Sequence, residues 1–365
     1  MPPLVQLESD PLAGDEKYEM IKQLGRGAFG TVVLAKEKDT GQLIALKFME
    51  RRHVAVTKKY VRREVINHSS LTHPHIVKFR ECFLTDKYLA IAMEYAAGGD
   101  MFKYVSNKGG LDEKEARWFF KQLILALDYC HKMGVSNRDI KLENTLLDRL
   151  APGHKPVVKL CDFGLSINES NSQANTMEVG TPGYCAPELL EGGGSQGRGY
   201  DSKLADVWSS GVMLFTMLFC TYPFDDPKDN SKDPKIVNVN IRKRVMKGQY
   251  SYPRSPKVTA ECRDLLDKIF VVNPKERITL SGIQAHPWFK KDFPENLDLD
   301  KVNAAYVDMA QSRLNAGSIE IIDRVIHEAC AGVDTRPPAA TGNGYSLGDL
   351  DDFMDGLDLA GDIEA

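Results

Sequence analysis

Val135-Ser136-Asn137-Arg138-Asp139-Ile140-Lys141-Leu142-Glu143-Asn144 puts a carboxylate, a lysine two residues on and a carboxamide five residues on into one short polar stretch. The set suits phosphoryl transfer. Asp139 can orient a hydroxyl and accept its proton, Lys141 can balance charge on a moving phosphate, and Asn144 can offer an oxygen to a metal ion. Polar loops of this kind are common, so the stretch acquires meaning only from what flanks it.

Upstream, the pattern is that of strands. Residues 1–17 form a polar, Pro-containing lead-in; then Ile21 to Leu24, a glycine cluster, Thr31 to Ala35, an Asp39-Thr40-Gly41 turn and Leu43 to Phe48 read as antiparallel hairpins. A basic helical segment over Thr57 to Ser69 places Val61 and Val65 on one face, and Pro74 marks its end. Two further strands are predicted at Val77 to Phe83 and Tyr88 to Glu94. Beyond Gly98-Gly99 the pattern turns helical. Asp112 with Glu115 opens a long helix in the manner of a capping box, and Phe119, Leu123, Leu127 and Cys130 line its apolar face. Val157 to Leu160 reads as a short strand, and Lys203 to Cys220 is apolar nearly all round, hence a central buried helix.

Gly25-x-Gly27-x-x-Gly30 serves either a structural turn or a phosphate-binding loop. A dinucleotide fingerprint must open a helix. Here Gly30 runs into the β-branched Thr31-Val32-Val33, so the glycines cap a hairpin whose N–H groups can fold over phosphates. Lys47 ends an apolar strand and needs a partner if it points inward; Glu64 on the next helix is the candidate. Asp162-Phe163-Gly164 follows a strand, and a strand-end carboxylate together with the Asn144 carboxamide suits magnesium. Glu188 and Arg277 are candidates for a buried ion pair. Each feature has a bland alternative, a surface lysine or a mere turn. The ordered combination does not.

Bulk properties narrow the classes. The chain has 365 residues, 42% hydrophobic and 27% charged, with a formal net charge of −4. A sequence pI near 6.1 does not suggest a nucleic-acid binder. The seven scattered cysteines include no CxxC pair, which argues against zinc and for a reducing compartment. The most apolar run, Val212 to Cys220, is shorter than the roughly 20 residues a bilayer needs. Cytoplasm or nucleus is the expected location, without membrane or nucleic-acid partners.

In this order the glycine hairpin, strand lysine, helix glutamate, catalytic loop, Asp-Phe-Gly and Ala186-Pro187-Glu188 resemble the serine/threonine branch of eukaryotic protein kinases. The resemblance implies an α+β, bilobal protein-kinase fold over residues 18–289. Its small antiparallel β-rich lobe (18–95) would carry one main helix, beside a larger helical lobe (98–289). It implies ATP and Mg2+ as cofactors and protein substrates. Matching positions make Leu24, Gly25, Arg26, Gly27, Ala28, Phe29, Gly30, Thr31, Val32, Ala45, Lys47, Glu94, Ala96 and Asp100 the ATP-binding set. Met93 would be the gatekeeper. Asp139, Lys47, Glu64 and Lys141 would be catalytic, Asn144 and Asp162 the metal ligands, and Glu143 and Thr181 substrate contacts. Acids at Asp100 and Glu143 suit an upstream substrate arginine, Arg-x-x-Ser/Thr. A catalytically weak or inactive scaffold acting through its tail is the competing class, against which the intact Lys47, Asp139, Asn144 and Asp162 stand.

Arg138 to Asp148, the Ala205-Asp206-Val207-Trp208-Ser209 run and the tail are similar to the second subfamily of sucrose-non-fermenting-related kinases of plants and green algae. That implies osmotic or nutrient stress signalling, with an upstream kinase and a phosphatase docking on the acidic end as candidate partners. The tail, residues 290–365, contains a predicted helix over 318–329, with Ile319, Ile322, Ile326 and Ala329 on one face, and an acidic segment over 345–365. The helix is expected to pack near the basic helix that carries Glu64. In the activation segment Met177 stands where related kinases have a phosphorylatable serine. Arg138, Thr176 and Glu178 are the candidate regulatory residues, with Ser172 as another acceptor. Asn137 occupies a position that usually holds an aromatic ring stacked toward Phe163. A buried amide there must find partners or cost about 1–3 kcal/mol, and the expectation is a lowered, not abolished, rate and a gain on Asn137→His.

Overall fold

The computed structural model describes residues 7, 10–27, 30–148, 153, 155–168, 183–190, 200–226, 228–229, 233–293, 299–313 and 316–333. Strands β1 (Tyr18–Gly27), β2 (Gly30–Glu37), β3 (Leu43–Glu50), β4 (Phe79–Leu84) and β5 (Tyr88–Glu94) form one antiparallel sheet in the order β1-β2-β3-β5-β4. Side chains alternate between its faces. Val33, Ala35, Ile44, Leu46, Phe48, Ala90 and Ala92 pack on one face under Leu12 and Tyr18. On the other, register pairs Val32 with Lys47 and Lys47 with Ile91, then Leu34 with Ala45 and Ala45 with Met93. This second face borders the site.

The helix expected over Thr57 to Ser69 is α2 (Lys58–Ser70), and a short helix that was not anticipated, α1 (Arg51–Val56), precedes it. Thr57 separates them. Its hydroxyl and its N–H both donate to the His53 carbonyl, at 2.8 and 2.9 Å, ending the first helix by local competition. Val61 and Val65 are buried as expected.

The second lobe contains α3 (Met101–Lys108), α4 (Glu113–Lys132), α5 (Pro187–Leu190), α6 (Ser202–Phe219), α7 (Pro234–Met246), α8 (Ala260–Ile269), α9 (Leu280–Ala285) and α10 (Pro287–Lys290). Asp112 caps α4 by accepting the Glu115 N–H at 2.8 Å. Glu115 does not complete the box; its carboxylate takes the Tyr104 hydroxyl and Lys108 instead, tying α4 to α3. Phe119, Leu123, Leu127 and Cys130 are buried, as is nearly all of α6. Arg277 and Glu188 form the expected bidentate pair at 2.7 and 2.8 Å. Four short strands carry the loops of the site: β6 (Val135–Ser136) pairs with β9 (Ile167–Asn168), and β7 (Thr145–Asp148) with β8 (Val157–Leu160). Only β8 was predicted, because two to four residues are too few to show an alternating pattern.

Two helices follow. Helix α11 (Leu299–Arg313), not anticipated, anchors to α4 through Asn303, whose amide donates to Leu125 C=O at 3.0 Å and Asp128 at 2.6 Å. Helix α12 (Ala316–Cys330) starts two residues before Ser318. Ile322, Ile326 and Ala329 are buried against Val54, Val61, Val65, Leu89 and Ile91, so the tail helix packs on α1, α2 and the sheet. Ile319 is only partly buried. Arg51 donates to the Glu328 and Ala329 carbonyls at 2.6 and 3.0 Å, capping the end of α12. Arg62 meets Asp323 at 2.6 and 2.9 Å. Both partners of that pair are nearly half exposed. Such pairs contribute about 1 kcal/mol or less. Arg62→Ala is therefore expected to lower the melting temperature by about 2 °C or less; a much larger drop would assign α12 to its charges rather than to its apolar seam.

Candidate active site

The catalytic loop rests on a residue that sequence reading did not single out. Asp206, fully buried in α6, accepts the Asn137 N–H at 3.0 Å, the Arg138 N–H at 2.8 Å and faces His131 Nε2 at 2.8 Å. A buried carboxylate requires such donors. The signal was available: one acid inside an otherwise apolar helix. Arg138 and Asp162 both hold left-handed backbone, φ 65 and 61. At non-glycine residues this costs about 1–3 kcal/mol each, a strain typical of functional loops.

Asp139 Oδ2 lies 3.1 Å from Lys141 Nζ and accepts the Asn144 amide at 2.6 Å. Burial raises the Asp139 carboxyl above its ordinary range; Lys141 pulls it down and Asp162 adds to the rise. Burial would lower Lys141, but the attraction of Asp139 outweighs it and holds the ammonium charged. Lys47 meets Glu64 at 2.6 Å and Asp162 at 3.9 Å, so the strand lysine and helix glutamate are paired as expected. Burial opposes the Lys47 charge, yet Glu64 and Asp162 together raise its pKa. Burial, with the Asp162 charge adding to it, raises Glu64 against the pull of Lys47; at 2.6 Å the charged, hydrogen-bonded pair is the state that satisfies both groups.

Asp162 Oδ1 accepts the Gly164 N–H at 3.0 Å, and no hydrogen bond reaches Oδ2 among the described residues. Asn144 directs its amide nitrogen to Asp139, which leaves its side-chain oxygen without a donor, and the Cys161 N–H binds Asn144 C=O at 3.0 Å, holding the two segments together. A carboxylate oxygen and an amide oxygen free of competing donors fit a magnesium-type ion, which takes one or two protein ligands and fills its shell with phosphate and water. Among the described residues no group of three or more His, Cys, Asp or Glu side chains is placed to hold a metal by itself.

Phe163 stacks on His68 of α2 at 5.3 Å between centroids, and His68 meets Phe79 edge-on at 5.7 Å. Asn67 of α2 donates to Ser166 Oγ at 2.9 Å, and Ser166 donates to Phe163 C=O at 2.6 Å. Neither link was read from sequence. Asn137 finds the partners that a buried amide needs. Its fully buried amide is satisfied: Nδ2 donates to Asp162 C=O at 3.0 Å and Oδ1 accepts the Asp139 N–H at 3.1 Å.

The glycines cap a hairpin as expected, Gly25 opposite Val32 and Gly27 opposite Gly30; Ala28 and Phe29 at its tip lie outside the described residues. A Cβ on Gly30 would stand 2.2 Å from Phe48 O, so packing as well as any ligand requires glycine there. Leu24 is exposed, Arg26 and Val32 are partly buried, and Ala45 is buried. Thr31 departs from its predicted role. Fully buried and in register with Phe48, it alternates onto the sheet's other face, so only its backbone borders the hairpin. Glu94 has its side chain engaged by Lys159 at 2.7 Å and the Lys78 N–H at 3.0 Å, leaving a nucleotide only its backbone. Met93 is partly buried and Ala96 buried beside it. Gly98 N–H donates to Leu147 C=O at 2.7 Å, and a Cβ there would sit 2.5 Å from that oxygen. Asp100 caps α3, accepting the Lys103 N–H at 2.7 Å. Glu143 is exposed as a residue, but desolvation of its carboxyl, then repulsion from Asp139 and Asp100, raises its pKa and places it near both acids. Arg138 donates to Leu165 C=O at 2.8 Å and Tyr200 OH at 3.1 Å. The Arg63 guanidinium has its pKa lowered by burial and then by the neighbouring Arg138 charge. Ser172, Thr176, Met177, Glu178 and Thr181 lie outside the described residues, as does the acidic segment 345–365.

A charged strand lysine locked to a helix glutamate, above a loop that sets one aspartate beside a lysine and an asparagine and faces a second aspartate, defines the phosphoryl-transferring site of a protein kinase. The family model described as Protein kinase domain matches residues 18–289, and the chain belongs to that family, as a serine/threonine kinase of the second sucrose-non-fermenting-related subfamily. It is 43% identical over 328 residues to serine/threonine-protein kinase SRK2H of Arabidopsis thaliana, covering 90% of this chain and 85% of that protein. To serine/threonine-protein kinase SAPK1 of Oryza sativa subsp. japonica it is 42% identical over 336 residues, 92% and 93% of the two chains. To serine/threonine-protein kinase SRK2A of Physcomitrium patens it is 43% identical over 340 residues, 93% and 91%. As in kinases generally, ATP and a divalent metal are used and proteins are the substrates.

Proposed function

We propose that the chain phosphorylates Ser/Thr downstream of an arginine in stress-responsive signalling, with Asp139 as the base. The observation that carries this reading is the Asp139–Lys141–Asn144 cluster facing Asp162 and the Lys47–Glu64 pair. Asp139 orients the substrate hydroxyl and takes its proton as the oxygen–phosphorus bond forms and the bond to the β-phosphate oxygen breaks, releasing ADP. Lys141 balances charge on the moving phosphoryl group. Lys47, held by Glu64, orients the nucleotide phosphates. Bound magnesium, held by Asp162 and Asn144, would neutralise the phosphate charge. The backbone of Glu94 and Ala96 is assigned to adenine, and the Asp100 side chain, shared with its helix cap, to ribose or to substrate.

Asp100 and Glu143 support the arginine preference, since two nearby acids relieve their repulsion by receiving a guanidinium. Thr181 is assigned to the substrate side. Arg63 and Arg138, near enough to repel, suit a phosphate on Thr176 or Ser172 placed by an upstream kinase, or the Glu178 carboxylate, which carries less charge. The acidic segment 345–365 is assigned to docking of a phosphatase. All seven cysteines are free, which suits cytoplasm or nucleus. The test is phosphate transfer from ATP to a serine peptide with arginine three residues upstream, against the same peptide with alanine there. Tenfold or greater preference for arginine is expected. Equal rates remove the arginine half of the reading, and absence of transfer to either peptide would return the chain to the scaffold class.

A further inference from the structure

We infer that Asn137 is a positioning residue: its carboxamide is a strut that fixes the two catalytic-site aspartates, Asp139 and Asp162, relative to each other. The inference rests on the roles proposed above for those aspartates. Asn137 is fully buried, and one carboxamide uses its two ends on two segments, Nδ2 on Asp162 C=O at 3.0 Å and Oδ1 on the Asp139 N–H at 3.1 Å. Its own N–H is held by the buried Asp206 at 3.0 Å, so the strut has a rigid base on α6.

Both partners need holding. Asp162 has left-handed backbone at φ 61, and the residue between Asn137 and Asp139, Arg138, is left-handed at φ 65. Such conformations persist only where surrounding contacts over-determine them. The neighbouring links act from the α2 side: His68 stacks on Phe163, and Asn67 reaches Phe163 C=O through Ser166. Neither touches Asp139. Among the described side chains Asn137 is the one that bonds to the backbone of both aspartates.

The geometry also reverses the expectation for histidine. An asparagine has two polar atoms on Cγ, a donor and an acceptor, whereas histidine has a single nitrogen there, which at any moment donates or accepts. Asn137→His can serve Asp162 or Asp139 but not both from that position. It is therefore expected to fall between wild type and a variant with neither bond.

The experiment uses the full chain with Asn137→Leu, close in size and unable to make either bond, beside Asn137→His and an Asp162→Ala control. Binding of ADP is measured with and without Mg2+, together with kcat and KM. The expected result for Asn137→Leu is loss of most of the Mg2+-dependent gain in ADP affinity, metal-free ADP binding within about twofold of wild type, and a kcat lower by about tenfold or more with KM for peptide little changed. Asn137→His should recover part of both losses. A wild-type Mg2+ gain and kcat in Asn137→Leu overturns the inference, as does equal weakening of metal-free and Mg2+-bound ADP, which marks a merely structural residue. If Asp162→Ala itself leaves the Mg2+ gain intact, the metal role proposed for Asp162 fails instead. Should Asn137→Leu not fold, amide exchange in the wild-type protein decides: the Asp139 N–H must be protected, and fast exchange there overturns the strut.

Discussion

Asp139→Asn is expected to lower kcat by about 10²- to 10⁴-fold, the span over which a positioned proton acceptor acts. KM for ATP should change little, because Asp139 faces Lys141 and Asn144 rather than the Lys47–Glu64 pair. The pH dependence supplies a second signature. Burial, with Asp162 nearby, raises the Asp139 carboxyl, so the base is lost by protonation as pH falls through a value above the ordinary aspartate pKa of about 3.9. The acid limb of kcat/KM should lie above that value and vanish in Asp139→Asn. Stability moves the opposite way. A carboxyl whose folded pKa is raised contributes stability below its unfolded pKa and loses it as pH rises through the folded one. At neutral pH the wild-type carboxylate is a net cost, and Asp139→Asn should melt at the same temperature or higher. A variant that keeps its turnover would remove Asp139 from the base role; one that loses turnover only because it unfolds would leave melting and activity falling together.

Truncation after Gly317 is expected to produce the largest loss of stability. It removes nearly all of α12, and with it Ile322, Ile326 and Ala329 from the surface of Val54, Val61, Val65, Leu89 and Ile91. Two isoleucines at roughly 1.5–3 kcal/mol each bring the cost to about 3–6 kcal/mol. A fall in melting temperature of the order of 5–10 °C follows for a domain of this size. Loss of the Arg51 cap and the Arg62–Asp323 pair adds little beside that seam. Because α2 carries Glu64, a looser α2 should also populate the Lys47–Glu64 pair less, lowering kcat. Unchanged melting and turnover would refute the packing. Lower melting with unchanged turnover would keep the packing and sever it from Glu64.

Much of the site was legible because its chemistry is local. The spacing of Asp139, Lys141 and Asn144, the lysine ending an apolar strand and the aspartate after another are patterns within a few residues. Alternation correctly separated the strands from Ile21 to Glu94, and a 3.6-residue period found the apolar stripe of the tail helix. Failures came where a neighbour distant in sequence decides. Thr31 sits beside the nucleotide hairpin in sequence, yet register with Phe48 turns its side chain to the other face. Glu115 follows a capping residue, yet Tyr104 and Lys108 take its carboxylate. Helix α1 is a local miss instead: six residues, closed by the Thr57 bond to His53, are too few to show a helical period.

Sequence alone determined which groups to look for at the site, because the residue types and their order along the chain are what phosphoryl transfer demands. It also determined that Asn137 was the odd member of its loop. Only the tertiary structure decided what that oddity means. The amide's partners belong to Asp139 and Asp162, two segments brought together by the pairing of β6 with β9 and by Asp206 beneath the loop. A hydrogen bond is set by ångström-scale distance and direction. Residue identity carries neither, so an amide that reads as a gap in a stack of rings becomes, once folded, the bond between two aspartates.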